Sequence, residues 1–244
     1  MSCVESAALK SSAPTPNNRT RYSFEHPWFE EIRSEWESIT TPLRGKKLRI
    51  LEIGSFEGAS TTWILDNLMD HPESSMVAVD HFGGGMDHHV EPIENYNFNA
   101  LEARFRSNIS KCENSSKLEL MKMSSDDALL KLRQARDEFD FIYIDASHVA
   151  IDVLHDAVLC WRMLKEGGTL VFDDFSWKGY MEHCYNPRIA IFSFVRCAEP
   201  EVEYKETESQ VWITRVPNKL KATRNQDPTL MYGEDELRAF FNAS

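Results

Sequence analysis

The chain has 244 residues, enough for one α/β domain with extensions and too few for two independent catalytic cores. With 42% hydrophobic and 11% aromatic residues it has the make-up of a protein that buries a core, which sets aside disordered, collagenous and coiled-coil classes. Twenty-seven Lys and Arg against 39 Asp and Glu leave a net charge of −12, the wrong sign for tracking phosphates, so neither nucleic acid nor an anionic membrane is an expected partner.

Residues 1–22 are rich in Ser, Ala, Pro, Asn and Thr without periodicity and read as a disordered N-terminal tail with no apolar signal segment. The pattern then changes. HPWFEEIRSEWESIT places Trp28, Phe29, Ile32, Trp36 and Ile39 at helical spacing, as in an amphipathic helix laid on a core. Five short apolar runs follow, KLRILEIG, SSMVAVDHF, KLELMKMS, FDFIYIDAS and GGTLVFDDF, each the length of a strand. Between them 60–69, 97–110, 126–135 and 149–164 read as helices, the last closing on KEGG as a glycine cap. This alternation predicts right-handed crossovers and a doubly wound, Rossmann-like parallel sheet covered on both faces. A further helix at 187–197 leads to EVEYKE and QVWITRV, whose short link requires an antiparallel hairpin at the sheet edge. One domain therefore spans 23–216. In the extension 217–244, Leu237, Phe240 and Phe241 share a helix face that would dock on this domain or on a second subunit to form a homodimer. Cys3, Cys112, Cys160, Cys184 and Cys197 are scattered without a C-x-x-C pair, and no run of 18 apolar residues occurs, as expected of a cytoplasmic protein with reduced thiols and no membrane span.

In a doubly wound sheet, ligands bind beyond the carboxyl ends of the strands. The first strand runs into Glu52-Ile53-Gly54-Ser55-Phe56-Glu57-Gly58, whose glycines permit a tight turn and close approach of a ligand to a helix N-terminus. The second ends in Asp80, a carboxylate placed to accept ribose hydroxyls, while the absence of G-x-G-x-x-G disfavours NAD. After the third, Ser125-Asp126-Asp127 opens a helix, where an acid can cap the helix or accept from an adenine amino group. The fourth ends in Asp145-Ala146-Ser147-His148 and the fifth in Asp173-Asp174. Neighbouring strands lie ~4.8 Å apart, so these three carboxylates repel one another unless a cation such as Mg²⁺ or hydrogen-bond donors compensate.

Taken together, these residues resemble the class I S-adenosylmethionine-dependent methyltransferases, and more narrowly the catechol and caffeoyl-CoA O-methyltransferase branch. The resemblance implies a seven-stranded sheet of order 3-2-1-4-5-7-6 with strand 7 antiparallel. It also implies a cofactor site of Glu52, Gly54, Ser55, Gly58, Asp80, Ser125, Asp126, Asp127 and Asp145, and a metal site of Asp145, Asp173 and Asp174. That branch has Asn where Asp174 stands and a basic Lys where His148 stands. With an unperturbed pKa of ~6.5, His148 is suited to act as general base at neutral pH.

The expected activity is divalent-metal-assisted O-methylation of a small hydroxylated metabolite. The acids could instead attract a cationic amine in a metal-independent N- or protein methyltransferase, and a non-catalytic cofactor-binding partner protein is a third reading. Trp177, Tyr180 and Tyr185 follow the acids and are candidates for the substrate wall, whereas His81, His88 and His89 around Gly83-Gly84-Gly85 read as a mobile lid rather than a zinc site.

Overall fold

The computed structural model describes residues 21–85, 96–179, 182 and 185–218. The elements run α1 (Phe29–Thr40), β1 (Arg49–Ile53), α2 (Ala59–Asn67), β2 (Ser75–Val79), α3 (Leu101–Ile109), β3 (Leu118–Met121), α4 (Ser125–Ala135), β4 (Phe139–Ile144), α5 (Ala150–Trp161), β5 (Leu164–Phe172), α6 (Pro187–Ala198), β6 (Val202–Glu206) and β7 (Val211–Arg215). The strands form one sheet of order β3-β2-β1-β4-β5-β7-β6. β7 is antiparallel to β5 and to β6, and the strands from β3 to β5 are parallel, as the sequence and its resemblance imply.

Successive strand residues serve opposite faces. Leu51, Ile53, Val77, Val79, Ile142, Ile144, Leu170 and Phe172 share a core with α4, α5 and α6, whereas Ile50, Met76, Ala78, Phe141, Tyr143, Val171 and Trp212 share one with α1, α2 and α3. Burial on both faces explains why the strands read as nearly continuous apolar runs. At the centre of the second core is Trp36, fully buried, with ring centroids 5.1 Å from Phe29, 5.5 Å from Trp63, 4.8 Å from Tyr143 and 5.3 Å from Trp212. Its indole N–H donates to Gln210 Oε1 at 2.9 Å.

The register positions the site. Val79, Ile53, Ile144 and Phe172 form one row across β2, β1, β4 and β5. The next residue of each strand, Asp80, Gly54, Asp145 and Asp173, therefore emerges along a single edge. Backbone bonds extend the ladder by one step there: Gly54 N to Val79 O at 2.9 Å, Asp145 N to Ile53 O at 2.8 Å and Asp173 N to Ile144 O at 3.0 Å.

Three local expectations change. Lys165 to Gly168 do not cap α5, which ends at Trp161; they lie inside β5, where Gly167 takes φ +80° and the pairing with β4 shifts register between Phe139 and Phe141. Trp28 precedes the buried stripe of α1 and is 50% exposed, because the chain enters the helix there. Tyr22 belongs to the domain rather than to the tail, its hydroxyl donating to Asp66 Oδ2 at 2.6 Å. The extension lies almost wholly outside the described residues, and among those described no helix is long and apolar enough to cross a membrane.

Because Trp36 joins α1, α2, β4 and β7, Trp36→Ala is expected to cost about 3–5 kcal/mol of unfolding free energy, read as a lowered denaturation midpoint in urea.

Candidate active site

The turn after β1 is held from beneath. Glu52 is fully buried and accepts from Ser55 Oγ at 2.8 Å, Ser60 Oγ at 2.7 Å and Thr61 Oγ1 at 2.5 Å. Burial outweighs these three donors and pushes its carboxyl up to about 7. Gly54 takes φ +85°, and a Cβ on it would run into the backbone carbonyl of Asp145, so only glycine lets the turn lie against the end of β4. Asp80 clamps the turn from the other side: Oδ2 accepts from the backbone N–H groups of Ser55 (2.9 Å) and Phe56 (2.8 Å), and Oδ1 from that of Phe82 (2.6 Å).

Beyond this turn opens a cleft of about 710 Å³, lined by Gly54, Asp80, Ser125, Asp126, Asp145, His148, Asp173 and Asp174 among others. That volume is typical of small-molecule sites. Of the residues that the resemblance assigns to the cofactor, Glu52, Ser55, Gly58 and Asp127 do not line the cleft. Glu52 and Ser55 bond to each other below the turn, and Gly58 is the left-handed residue that starts α2. Asp127 is exposed on α4, and the cap of that helix is Ser124, whose side chain accepts from the Asp127 N–H, rather than either acid. Of the two neighbouring acids, Asp126 is the one that lines the cleft.

At the acidic end, Tyr143 lies between two carboxylates, its hydroxyl 3.0 Å from Asp145 Oδ2 and in contact with Asp173 Oδ2. Loss of water contact, together with the charges of Asp173 and Asp174, raises the Asp145 carboxyl well above its ordinary range. Asp173 is raised to about 6 by the same burial and by Asp174, against the opposing pull of Tyr143, of the Asp174 N–H and of the neighbouring Gln210 amide. Asp174 adopts φ +59°, a left-handed conformation that Asp and Asn tolerate better than most residues, which accounts physically for either one at this position. Its Oδ2 lies 2.7 Å from His148 Nε2, and the His148 ring packs on Trp177 with centroids 4.6 Å apart.

His148 joins the candidates for the metal set. The side-chain oxygens of Asp145 and Asp174 and a ring nitrogen of His148 lie within 4.8 Å of one another, and Asp173 beside them accepts from the Tyr143 hydroxyl and the Asp174 N–H. An oxygen-rich set whose carboxylates resist ionising together suits a divalent cation, so the residues fit the metal that the resemblance implies.

Two contributors escaped the sequence reading. Tyr143 was legible in principle, since it stands two residues before Asp145 on one strand and so shares its face. Trp28 was not. Its ring stacks on Phe56 at 5.2 Å, Phe56 stacks on Tyr96 at 5.1 Å, and Trp28 and Phe56 form a cleft wall that depends on how α1 meets the glycine turn. Of the three proposed wall aromatics Trp177 lines the cleft, the exposed Tyr185 does not, and Tyr180 lies outside the described residues, as do His88 and His89. His81 lines the cleft, and its Nδ1 accepts from the Gly83 N–H at 2.9 Å.

The sequence pattern of the family described as "Methyltransferase domain" matches residues 51–175. Among solved structures, an O-methyltransferase from Bacillus cereus in complex with SAH is similar at 18% sequence identity and TM-score 0.52, over 79% of this chain and 92% of that one. TomG, an O-methyltransferase from Streptomyces achromogenes involved in tomaymycin synthesis and in complex with SAM, is similar at 15% identity and TM-score 0.54, over 82% and 94%. MycE, from the mycinamycin biosynthetic pathway and in complex with Mg, SAH and mycinamycin VI, is similar at 15% identity and TM-score 0.54, over 86% of this chain but only 54% of that one. These likenesses establish a shared fold. No curated protein matches the chain.

Glu52 gives the apo protein a distinctive pH dependence. Between its ordinary value near 4.5 and its folded value of about 7, the folded chain holds a proton that the unfolded chain has lost, so stability falls as pH rises through this window. Glu52→Gln should remove a component of up to about 1.4 kcal/mol per pH unit from the slope, measured by urea unfolding at pH 5, 6, 7 and 8. Identical slopes in the two proteins would contradict this assignment.

Proposed function

The chain belongs to the methyltransferase-domain family, and on that premise we propose that it is an S-adenosylmethionine-dependent O-methyltransferase, assisted by a divalent cation and acting on a small hydroxylated metabolite. The observation that carries this reading is the meeting, in one cleft, of a glycine turn clamped by Asp80 with the Asp145, Asp174 and His148 cluster. The Mg and SAH bound by MycE, and the SAM and SAH bound by the other two O-methyltransferases, support it.

Bound S-adenosylmethionine would supply an electrophilic methyl on a sulfonium, and a cation held by Asp145 and Asp174, with Asp173 behind them, would acidify an acceptor hydroxyl. The chain's own residues do the rest. Gly54, Asp80, Ser125 and Asp126 all line the cleft; Gly54 would offer bare backbone to the cofactor, Asp80 would accept from its ribose, and Ser125 and Asp126 would meet its adenine. Trp28, Phe56 and Trp177 wall off an apolar acceptor body and hold it against the sulfonium, the positioning from which most of the rate of an in-line displacement derives. His148 receives the hydroxyl proton at its imidazole, Trp177 fixes the ring plane, and Asp174 at 2.7 Å stabilises the imidazolium that forms. The negative charge of the acids complements the sulfonium and disfavours an anionic acceptor.

A specific observation favours a second role for His148: its nitrogen converges with the two carboxylates and could be a third metal ligand. The roles separate experimentally. As a base, His148→Gln lowers kcat/KM by about 10²–10⁴ and abolishes the acidic limb of the pH profile with metal affinity nearly unchanged. As a ligand, the same substitution weakens metal binding and leaves the limb in place.

The direct test is thermal stability with S-adenosylhomocysteine, alone and with Mg²⁺. Each added ligand should raise the melting temperature, and Asp145→Asn with Asp174→Asn should abolish the metal increment while keeping the nucleoside one. Turnover that survives exhaustive EDTA treatment would remove the cation from the reading.

A further inference from the structure

We infer that the chain carries a second divalent-cation site, formed by Asp126, His155 and Asp156 where the first turn of α4 meets α5, and suited to an ion of the zinc type. Asp156 is only 2% exposed, yet its Oδ1 makes no hydrogen bond. A buried carboxylate oxygen without a hydrogen-bond donor is costly to desolvate, which favours a ligand that meets it. His155 Nδ1 lies 3.6 Å from that oxygen, too far for a hydrogen bond, and 3.0 Å from Asp126 Oδ1. All three ligand atoms lie within 4.8 Å of one another.

The two separations measured from His155 Nδ1 are close to the edge of a coordination shell. With metal–ligand bonds of ~2.0–2.1 Å, the edges of a tetrahedron are about 3.3 Å, and 3.0 and 3.6 Å bracket that value. One imidazole with two carboxylates and room for water suits zinc, whereas Mg²⁺ demands a near-octahedral oxygen shell. Asp126 and His155 are exposed, so an ion can enter without opening the fold. Ser125 and His155 both favour the ionised Asp156 carboxylate. A bound ion would tie α4 to α5 beside the nucleoside end of the cleft, which Ser125, Asp126 and Asp156 also line. The site does not use the Asp145 cluster, but it shares Asp126 with the proposed cofactor pocket, so metal binding is read in the absence of nucleoside.

Cobalt is the probe, because Co²⁺ in a tetrahedral site absorbs in the visible. In the full chain carrying Asp145→Asn and Asp174→Asn, which silence the other cluster, one equivalent of Co²⁺ should bind with a tetrahedral spectrum and be displaced by Zn²⁺. Adding His155→Gln or Asp156→Asn should weaken that binding at least ~10-fold, the usual effect of damaging a metal shell. On the otherwise unaltered chain, His155→Gln alone should remove one bound equivalent, whether or not the Asp145 cluster binds another, which keeps the test independent of how the double variant folds. Absence of cobalt binding to the double variant, with no equivalent lost from the otherwise unaltered chain on His155→Gln, would overturn the inference, as would binding that survives both added substitutions. It would equally be overturned if Asp156→Asn, in EDTA, weakened S-adenosylhomocysteine binding while leaving cobalt affinity intact, since the free oxygen would then serve the nucleoside.

Discussion

Like charges forced together at the edge of a parallel sheet are the constraint on which the rest of this structure depends. Ile144 and Phe172 pair in register, so Asp145 and Asp173 emerge side by side with Asp174 next in the chain. Parallel strands leave no freedom to separate them, because the same register buries Ile142, Ile144, Leu170 and Phe172 in the core. The surroundings respond with whatever donors they possess: the Tyr143 hydroxyl between two carboxylates, the Asp174 N–H on Asp173, and His148 on Asp174. These offset burial and the repulsion only in part, since Asp145 and Asp173 both remain harder to ionise than an ordinary aspartate. It is this shortfall of positive charge that the proposed cation would make good.

The cofactor end follows the opposite strategy, in which acids are consumed by the protein itself. Glu52 takes up three hydroxyls and Asp80 three backbone N–H groups, so both carboxylates spend most of their hydrogen-bonding capacity on the shape of the glycine turn. Their contribution is preorganisation: a turn already fixed loses little entropy when a ligand arrives. The same clamp holds Phe56 at φ +45°, a conformation unfavourable for an aromatic residue, and in that pose its ring meets Trp28. The strain at one backbone position thus supplies part of the proposed acceptor wall.

Much of this was legible in one dimension because it is periodic or local. Alternating short and long apolar segments specify parallel strands with crossover helices, and a strand end followed by an acid specifies the edge where ligands bind. Tyr143 too is recoverable by counting back two residues from Asp145. Errors arose where local chemistry was ambiguous. KEGG has the look of a helix stop but lies inside β5, since strand pairing with β4 prevails over glycine's preference for caps. Asp126 and Asp127 both look like caps, and neither is, because Ser124 reached the free N–H first.

By itself, then, the sequence determined the element order, the doubly wound sheet and the convergence of Gly54, Asp80, Asp145 and Asp173 on one edge, all of which follow from hydrophobic periodicity and strand length. Only the tertiary structure decided which neighbours those residues would have. It turned Glu52 inward to the turn and Asp126 outward to the cleft, drew Asp173 toward Tyr143 and His148 toward Asp174, and brought Trp28 from α1 onto Phe56. The reason is physical: a side chain's partners depend on how distant segments approach in three dimensions, and a pattern of burial along the chain constrains faces, not contacts.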